Sequence, residues 1–250
     1  MSDFNRGFTS PVSARADMAV DAGLRAFMLG VYNKLALGLL LSAALAYVTS
    51  ALPAARDLFY VVDPDSGRLA GFTLLGTVLR FAPLAVILFG AFGMRNVTPK
   101  SSGIYYWTIV SLIGAGLGIW MLVYTGASVA TTFLITAAAF GALSLMGYTT
   151  KKDLTGFGNF LIMGLFGIII ASLVGLFFHL PQITFIVNVL GVLIFAGLTA
   201  YDTQRLKLSY YRMGGDQAAL GVMTNYGALN LYLNFINMFQ FLLSFMGNRR

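Results

Sequence analysis

Cysteine and glutamate are both absent from this 250-residue chain, and His179 is its single histidine. Without cysteine there is neither a disulfide nor a thiolate metal site. Without glutamate and with one histidine, the paired groups that general acid–base or metal-dependent hydrolysis needs are scarce, so the chain reads as a non-enzyme. Charge is scarce too: 10% of the residues are charged, where a soluble domain carries roughly 25%. What is abundant is apolar surface, with 58% hydrophobic residues and a mean hydropathy of +0.80. Apolar runs of about 20 residues, the length a bilayer core requires, recur along the chain. These features predict an all-α polytopic membrane protein with the lipid bilayer as its surroundings. The net charge of +7 is spread over connecting segments. No basic cluster is interleaved with aromatics, which argues against nucleic-acid binding.

Seven spans are predicted, near 27–50, 74–94, 104–124, 128–148, 157–178, 183–203 and 221–246. The first follows the polar or amphipathic stretch "MSDFNRGFTSPVSARADMAVDAGLR" and is longer than the apolar region of a signal peptide. Residues 1–25 are therefore expected to form a cytoplasmic tail, and 26–247 a single transmembrane domain. "DPDSG" (Asp63 to Gly67) reads as a tight turn. Its two aspartates resemble the start of a calcium loop, but the acidic ligand expected near the end of such a loop is missing. Lysine and arginine are biased 10 to 4 toward the side that bears the N-terminus, which predicts a cytoplasmic N-terminus. A re-entrant last segment would instead bring Arg249 and Arg250 inside. The length of 221–246 favours a full crossing. Gly114 and Gly118, four apart, fit a close helix–helix contact in lipid.

The polar residues within the spans carry the functional signal. "LGVLIFAGLTAYDTQRLK" ends an uncharged run on Asp202, near the end of the sixth predicted span. An ionisable group at membrane depth usually faces the bundle interior and has a partner. Arg205, three residues on, is one candidate partner, and Arg95 on the same side is another. In the last span Tyr226, Asn230, Asn234, Asn237, Gln240 and Ser244 are spaced 4, 4, 3, 3 and 4 apart. That is one helical face about 27 Å long. Either its amides act as interhelical glue, or the face lines a narrow hydrated path. Lys34 and Arg80 are expected to snorkel, and His179 reads as a loop residue before Pro181.

"GVLIFAGLTAYDTQRLK", "FGALSLMGYTTKKDLTGFGNFL" and "ALNLYLNFINMFQFLLSFMG" resemble the Bax inhibitor-1 (transmembrane Bax inhibitor motif) family, and bacterial members most closely. The resemblance implies a seven-helix bundle with the last helix wrapped by two groups of three. It implies a pH-sensitive calcium leak, with a stress or cytoprotective role, in the bacterial inner membrane. It also implies association of some relatives with a membrane quality-control protease. In the family's pattern two aspartates on the last two helices share a proton, and an arginine bonds to the pair in the closed form. Carried over, the first aspartate matches Asp202, the arginine matches Arg95, and the second aspartate position holds Asn234. An Asp–Asn pair has no second carboxylate with which to share a proton, and it offers a hard cation less charge. A weakened pH response and weak calcium binding at Asp202 are therefore expected, with calcium as transported ion and no cofactor. The competing expectation is a non-conducting interaction protein that modulates a membrane protease.

Overall fold

The computed structural model describes residues 11–93, 97–178 and 181–250. Arg95 and His179 lie outside the described residues. The architecture is all-α apart from one small hairpin: α1 (Pro11–Ala51), α2 (Pro53–Phe59), β1 (Tyr60–Val62), β2 (Leu69–Phe72), α3 (Leu74–Gly93), α4 (Pro99–Gly116), α5 (Gly118–Val123), α6 (Gly126–Thr149), α7 (Thr155–Phe178), α8 (Pro181–Arg212) and α9 (Gln217–Met246). Among the described residues six helical segments are long and apolar enough to cross a membrane: Ala22–Ala51, Pro99–Val123, Gly126–Thr149, Thr155–Gly175, Gln182–Arg212 and Gln217–Met246. The segment expected as the second of seven spans gives a shorter apolar helix, Leu74–Gly90, with Pro83 inside it. Proline has no N–H to donate to the carbonyl four residues back, which loosens that helix at mid-length.

Helix starts follow local chemistry. Thr98 caps α4 in a reciprocal box with Ser101, and Pro99 takes the first helical position, where its missing N–H costs nothing. Asp216 caps α9 by accepting from the amides of Ala218 and Ala219 at 2.9 and 3.2 Å. Boundaries differ from the sequence reading in three places. α1 begins at Pro11, so the second half of the expected tail is helical. The span 104–124 breaks at Leu117, between α4 and α5. α8 runs on to Arg212, so Asp202 sits within a continuous helix rather than at its end. The "DPDSG" turn is present as the tip of an unforeseen antiparallel hairpin in which β1 pairs with β2. The Asp63 amide bonds the Arg68 carbonyl at 2.9 Å, and Gly67 supplies the left-handed φ of 64° that closes the turn.

Packing places α9 inside the bundle. It contacts α1, α4, α6 and α8, and half of its most apolar window is buried, against 17% for α7. Tyr232, Leu231, Met238 and Leu243 on α9 are almost completely enclosed. α9 begins beside the start of α4, where Asn225 donates to the Pro99 carbonyl. It ends beside the end of α5, where Tyr124 pairs with Arg249 and the Arg250 amide bonds the Val123 carbonyl. The helix therefore runs the full depth of the α4–α5 segment alongside it. The small-residue contact is also present. A methyl group on Gly114 would lie 2.6 Å from the Ser42 backbone, and one on Gly118 would collide with Thr49. Gly114 lets α1 and α4 approach closely enough for Ser42 Oγ to donate to the Val110 carbonyl at 3.3 Å, and Gly118 likewise lets α1 and α5 approach.

Candidate functional site

Asp202 and Asn234 meet between α8 and α9. Asn234 Nδ2 donates to Asp202 Oδ2 at 2.7 Å, and the Asn234 side chain is buried. The bond explains how an aspartate is tolerated here: a carboxylate that accepts from a fixed amide is charge-assisted and partly compensated for lost water. The α8 backbone below it is braced by back-bonding hydroxyls, Thr199 Oγ1 to the Phe195 carbonyl at 2.8 Å and Thr203 Oγ1 to the Thr199 carbonyl at 2.9 Å. Gln204 adds a clamp to the α6–α7 connection. It accepts from the Leu154 amide at 2.8 Å and donates to the Lys152 carbonyl at 2.7 Å.

The pair lies on the wall of a cavity of about 490 Å³, whose polar lining includes Asp202, Arg205, Asn230, Asn234 and Asn237, with Ser172 and Tyr201, and whose remaining wall is largely aliphatic. A second cavity of about 450 Å³ is lined by Tyr60, Arg80, Asn237 and Gln240 among apolar groups. Ile87, Leu233 and Asn237 border both. The polar stripe of α9 thus divides. Asn230, Asn234 and Asn237 face the first cavity, Asn237 and Gln240 the second. Its two ends do something else: the Tyr226 ring packs 6.0 Å from Tyr105, and Ser244 Oγ accepts from Asn188 Nδ2 at 3.0 Å. Asn237 turns its own Nδ2 to the Leu233 carbonyl at 2.8 Å, which leaves its side-chain oxygen as an acceptor between the cavities.

Arg205 lines the first cavity but is exposed and does not pair with Asp202. Among the described residues the ion pair closer than 4 Å is Arg56–Asp57. The three-residue offset on α8 puts Arg205 on the exposed side of the cavity, from which its charge still acts on Asp202, while Asp202 bonds inward to α9. The Arg80 guanidinium lies 5.3 Å from the Phe72 ring of the hairpin, at the second cavity. Among the described residues no three acidic or histidine side chains come together as a metal site. Asp202 with amide oxygens offers a hard cation one carboxylate and few further ligands, short of the six to eight oxygens calcium takes.

Interhelical glue is present on two lines of α9: the stripe bonds α8 through Asn234 and Ser244, and a second polar line bonds α1 and α4. Asn225 accepts from Lys34 Nζ on α1 and donates to the Pro99 carbonyl at 2.9 Å and to Ser102 Oγ at 2.8 Å. Seven residues on, the Tyr232 hydroxyl shares a hydrogen bond with Ser42 Oγ, 2.7 Å. Sequence reasoning passed over both. Their seven-residue spacing, half a turn from Asn234, is the signal that marks a second polar line on this helix. Lys34, half-buried, lies over the rings of Tyr106 and Trp107 at 5.3 and 5.8 Å with its ammonium on Asn225.

Comparison with known sequences decides the family. The family model described as inhibitor of apoptosis-promoting Bax1 matches residues 24–250. The chain belongs to the Bax inhibitor-1 family. An uncharacterized protein of Caulobacter vibrioides is 64% identical over 251 residues and covers all of both chains. The inner membrane protein YbhL of Escherichia coli K12 is 39% identical over 239 residues, 94% of this chain and 98% of its own. A protein of Rickettsia prowazekii is also 39% identical, over 252 residues and the whole of both chains. The resemblance read from "YDTQ" and "LYLNFIN" holds at family level, and the Bax inhibitor-1 family is a membrane family rather than a known enzyme family.

Proposed function

We propose that this Bax inhibitor-1 family member is a slow, pH-sensitive cation leak of the inner membrane, non-enzymatic, with calcium as the transported ion and a stress-protective role. In this reading α3 completes seven crossings, the N-terminus is cytoplasmic, and the last helix is central. The observation that carries it is the Asn234–Asp202 hydrogen bond on the wall of a cavity that meets a second cavity along the α9 stripe. Asp202 is the cation and proton site and Asn234 its neutral partner. Arg205 at the rim, together with Arg95, supplies positive charge that competes with a cation for the carboxylate. Ile87 and Leu233 form the apolar neck, where a hydrated ion meets its main barrier, and the Asn237 side-chain oxygen lowers it. One carboxylate gives weak, short-lived binding, which suits slow passage better than storage.

The testing experiment is calcium flux into proteoliposomes with the intact chain. Asp202→Asn keeps the side chain's shape and removes its charge, and flux is expected to fall to the level of empty vesicles. Equal flux for wild type and Asp202→Asn, with both folded, overturns the leak. The second reading, a non-conducting modulator of a membrane quality-control protease, is favoured by the missing second carboxylate at Asn234. It expects no flux from any variant and indifference of a stress phenotype to Asp202→Asn.

A further inference from the structure

α1 and α6 run side by side without close packing. They meet at the Tyr32 hydroxyl, which shares a 2.5 Å hydrogen bond with Ser144 Oγ, itself 2.9 Å from Thr203 Oγ1. Between the helices lies a groove of about 450 Å³ whose walls include Arg25, Met28 and Tyr32 from α1 and Phe140, Gly141 and Tyr148 from α6. From Arg25 to Tyr32 it runs about 10 Å along the helix. A further apolar cavity of about 410 Å³ continues the same seam past Leu39 and Phe133 toward Ala46 and Gly126. The Tyr32, Ser144 and Thr203 hydroxyls in the floor satisfy one another, and much of the remaining wall is hydrocarbon. Gly141 is exposed, and a methyl built on it meets nothing within 4 Å.

The rim of the groove is basic. Arg25 borders it directly. Lys207 reaches the same rim from α8: its Nζ donates to the Tyr148 carbonyl at 2.9 Å and lies 5.3 Å from the Tyr148 ring. That contact uses one of three ammonium donors. Lys152 stands at the α6–α7 connection clamped by Gln204, one helical turn of α8 before Lys207, with Lys151 beside it. In sequence, Asp21 precedes Arg25 by four residues and Asp153 follows Lys152, two acids against the four bases Arg25, Lys151, Lys152 and Lys207.

We propose that this groove is a binding site for an anionic phospholipid of the leaflet facing Arg25. One acyl chain lies along the α1–α6 seam, and the phosphate is held between the Arg25 guanidinium and the Lys207 ammonium. Both helices are apolar enough to span a membrane, so hydrocarbon chains are what surrounds the groove, and the basic rim selects the headgroup. The groove and the Asp202 cavity share no lining residue, and the proposal is independent of the leak reading. A bound lipid ties α1 to α6 and, through Lys207, to α8.

The test is native mass spectrometry of the purified full chain in detergent with phosphatidylglycerol or phosphatidylcholine of identical acyl chains. Preferential retention of phosphatidylglycerol is expected. Arg25→Gln and Lys207→Gln should each weaken it about fivefold, the worth of one basic residue at an anionic surface, with phosphatidylcholine unchanged. Gly141→Leu fills the open groove and should remove the retained lipid. Gly167→Leu, where a methyl likewise meets nothing within 4 Å on exposed α7, should leave it. Equal retention of the two lipids overturns the proposal, as does a Gly141→Leu protein that holds phosphatidylglycerol as the parent does. The two charge variants keep the test decisive if Gly141→Leu does not fold.

Discussion

Replacing Asn234 by aspartate puts a second carboxylate where an amide now donates to Asp202 Oδ2 at 2.7 Å. The two shapes are nearly the same, so the backbone and the cavity need not move. The electrostatics change completely. Two unit charges about 4 Å apart repel by about 4 kcal/mol at an effective dielectric near 20, about three decades of proton activity. The native pair has no such term, because an amide releases no proton. Asn234→Asp is therefore expected to make the pair bind one proton that wild type does not, and to let it go as the pH rises. If Asp202 is the working group, calcium flux into proteoliposomes should become steeply pH-dependent in the variant, low where the proton is held and higher where it is lost. The double variant Asp202→Asn with Asn234→Asp has one carboxylate again, in swapped positions, and should return to the shallow response of wild type. A flat profile for Asn234→Asp over about pH 5 to about pH 8, with the protein folded, would refute the argument that this pair senses protons. A steep profile that survives in the double variant would place the sensor elsewhere.

Asn225→Ala should destabilise the chain by about 2 kcal/mol, since three interhelical bonds at about 0.6 kcal/mol each are lost, as read by thermal unfolding in detergent. An unchanged transition would deny Asn225 its role. Gly118→Leu should cost about 1–3 kcal/mol by overpacking against Thr49, whereas Gly167→Ala, in open space within α7, should gain about 0.5–1 kcal/mol. In the hairpin, Ser66 Oγ donates to Asp63 Oδ2 at 2.6 Å and the Asp65 amide to Oδ1 at 3.2 Å, and these bonds hold the Asp63 carboxyl below the usual carboxylate range. The sign follows: a lowered native value stabilises the turn above the ordinary aspartate range, and that contribution is lost as pH falls through the lowered value. Carboxyl-carbon NMR should show Asp63 titrating below a free aspartate and Ser66→Ala raising it; no difference between the two would remove Ser66 as the cause.

Much of this was legible along one dimension. Composition required membrane helices, the 3.6-residue spacing put Asn230, Asn234 and Asn237 on one face, and the matched patterns paired Asp202 with Asn234. The structure brings that pair together. Other features were not legible. Arg205, three residues from Asp202, lines the same cavity and acts on the carboxylate through its charge without closing to an ion pair. Asn225 escaped notice because its partners, Lys34 and Pro99, are 191 and 126 residues away in sequence. The hairpin at 60–72 depends on a register between two short segments, which alternation over three or four residues is too brief to announce.

What the sequence alone determined is the class of environment and the helical faces, because hydropathy and period are properties of neighbouring residues. Only the tertiary structure decided which face met which. It turned the α9 stripe to two cavities and the Asn225–Tyr232 line to α1 and α4, and it left a basic-rimmed groove between α1 and α6. Those outcomes depend on how closely helices approach, set at Gly114 and Gly118 by the absence of a side chain and between α1 and α6 by the reach of Tyr32 to Ser144. Contact distances between segments far apart in the chain are not properties of either segment by itself.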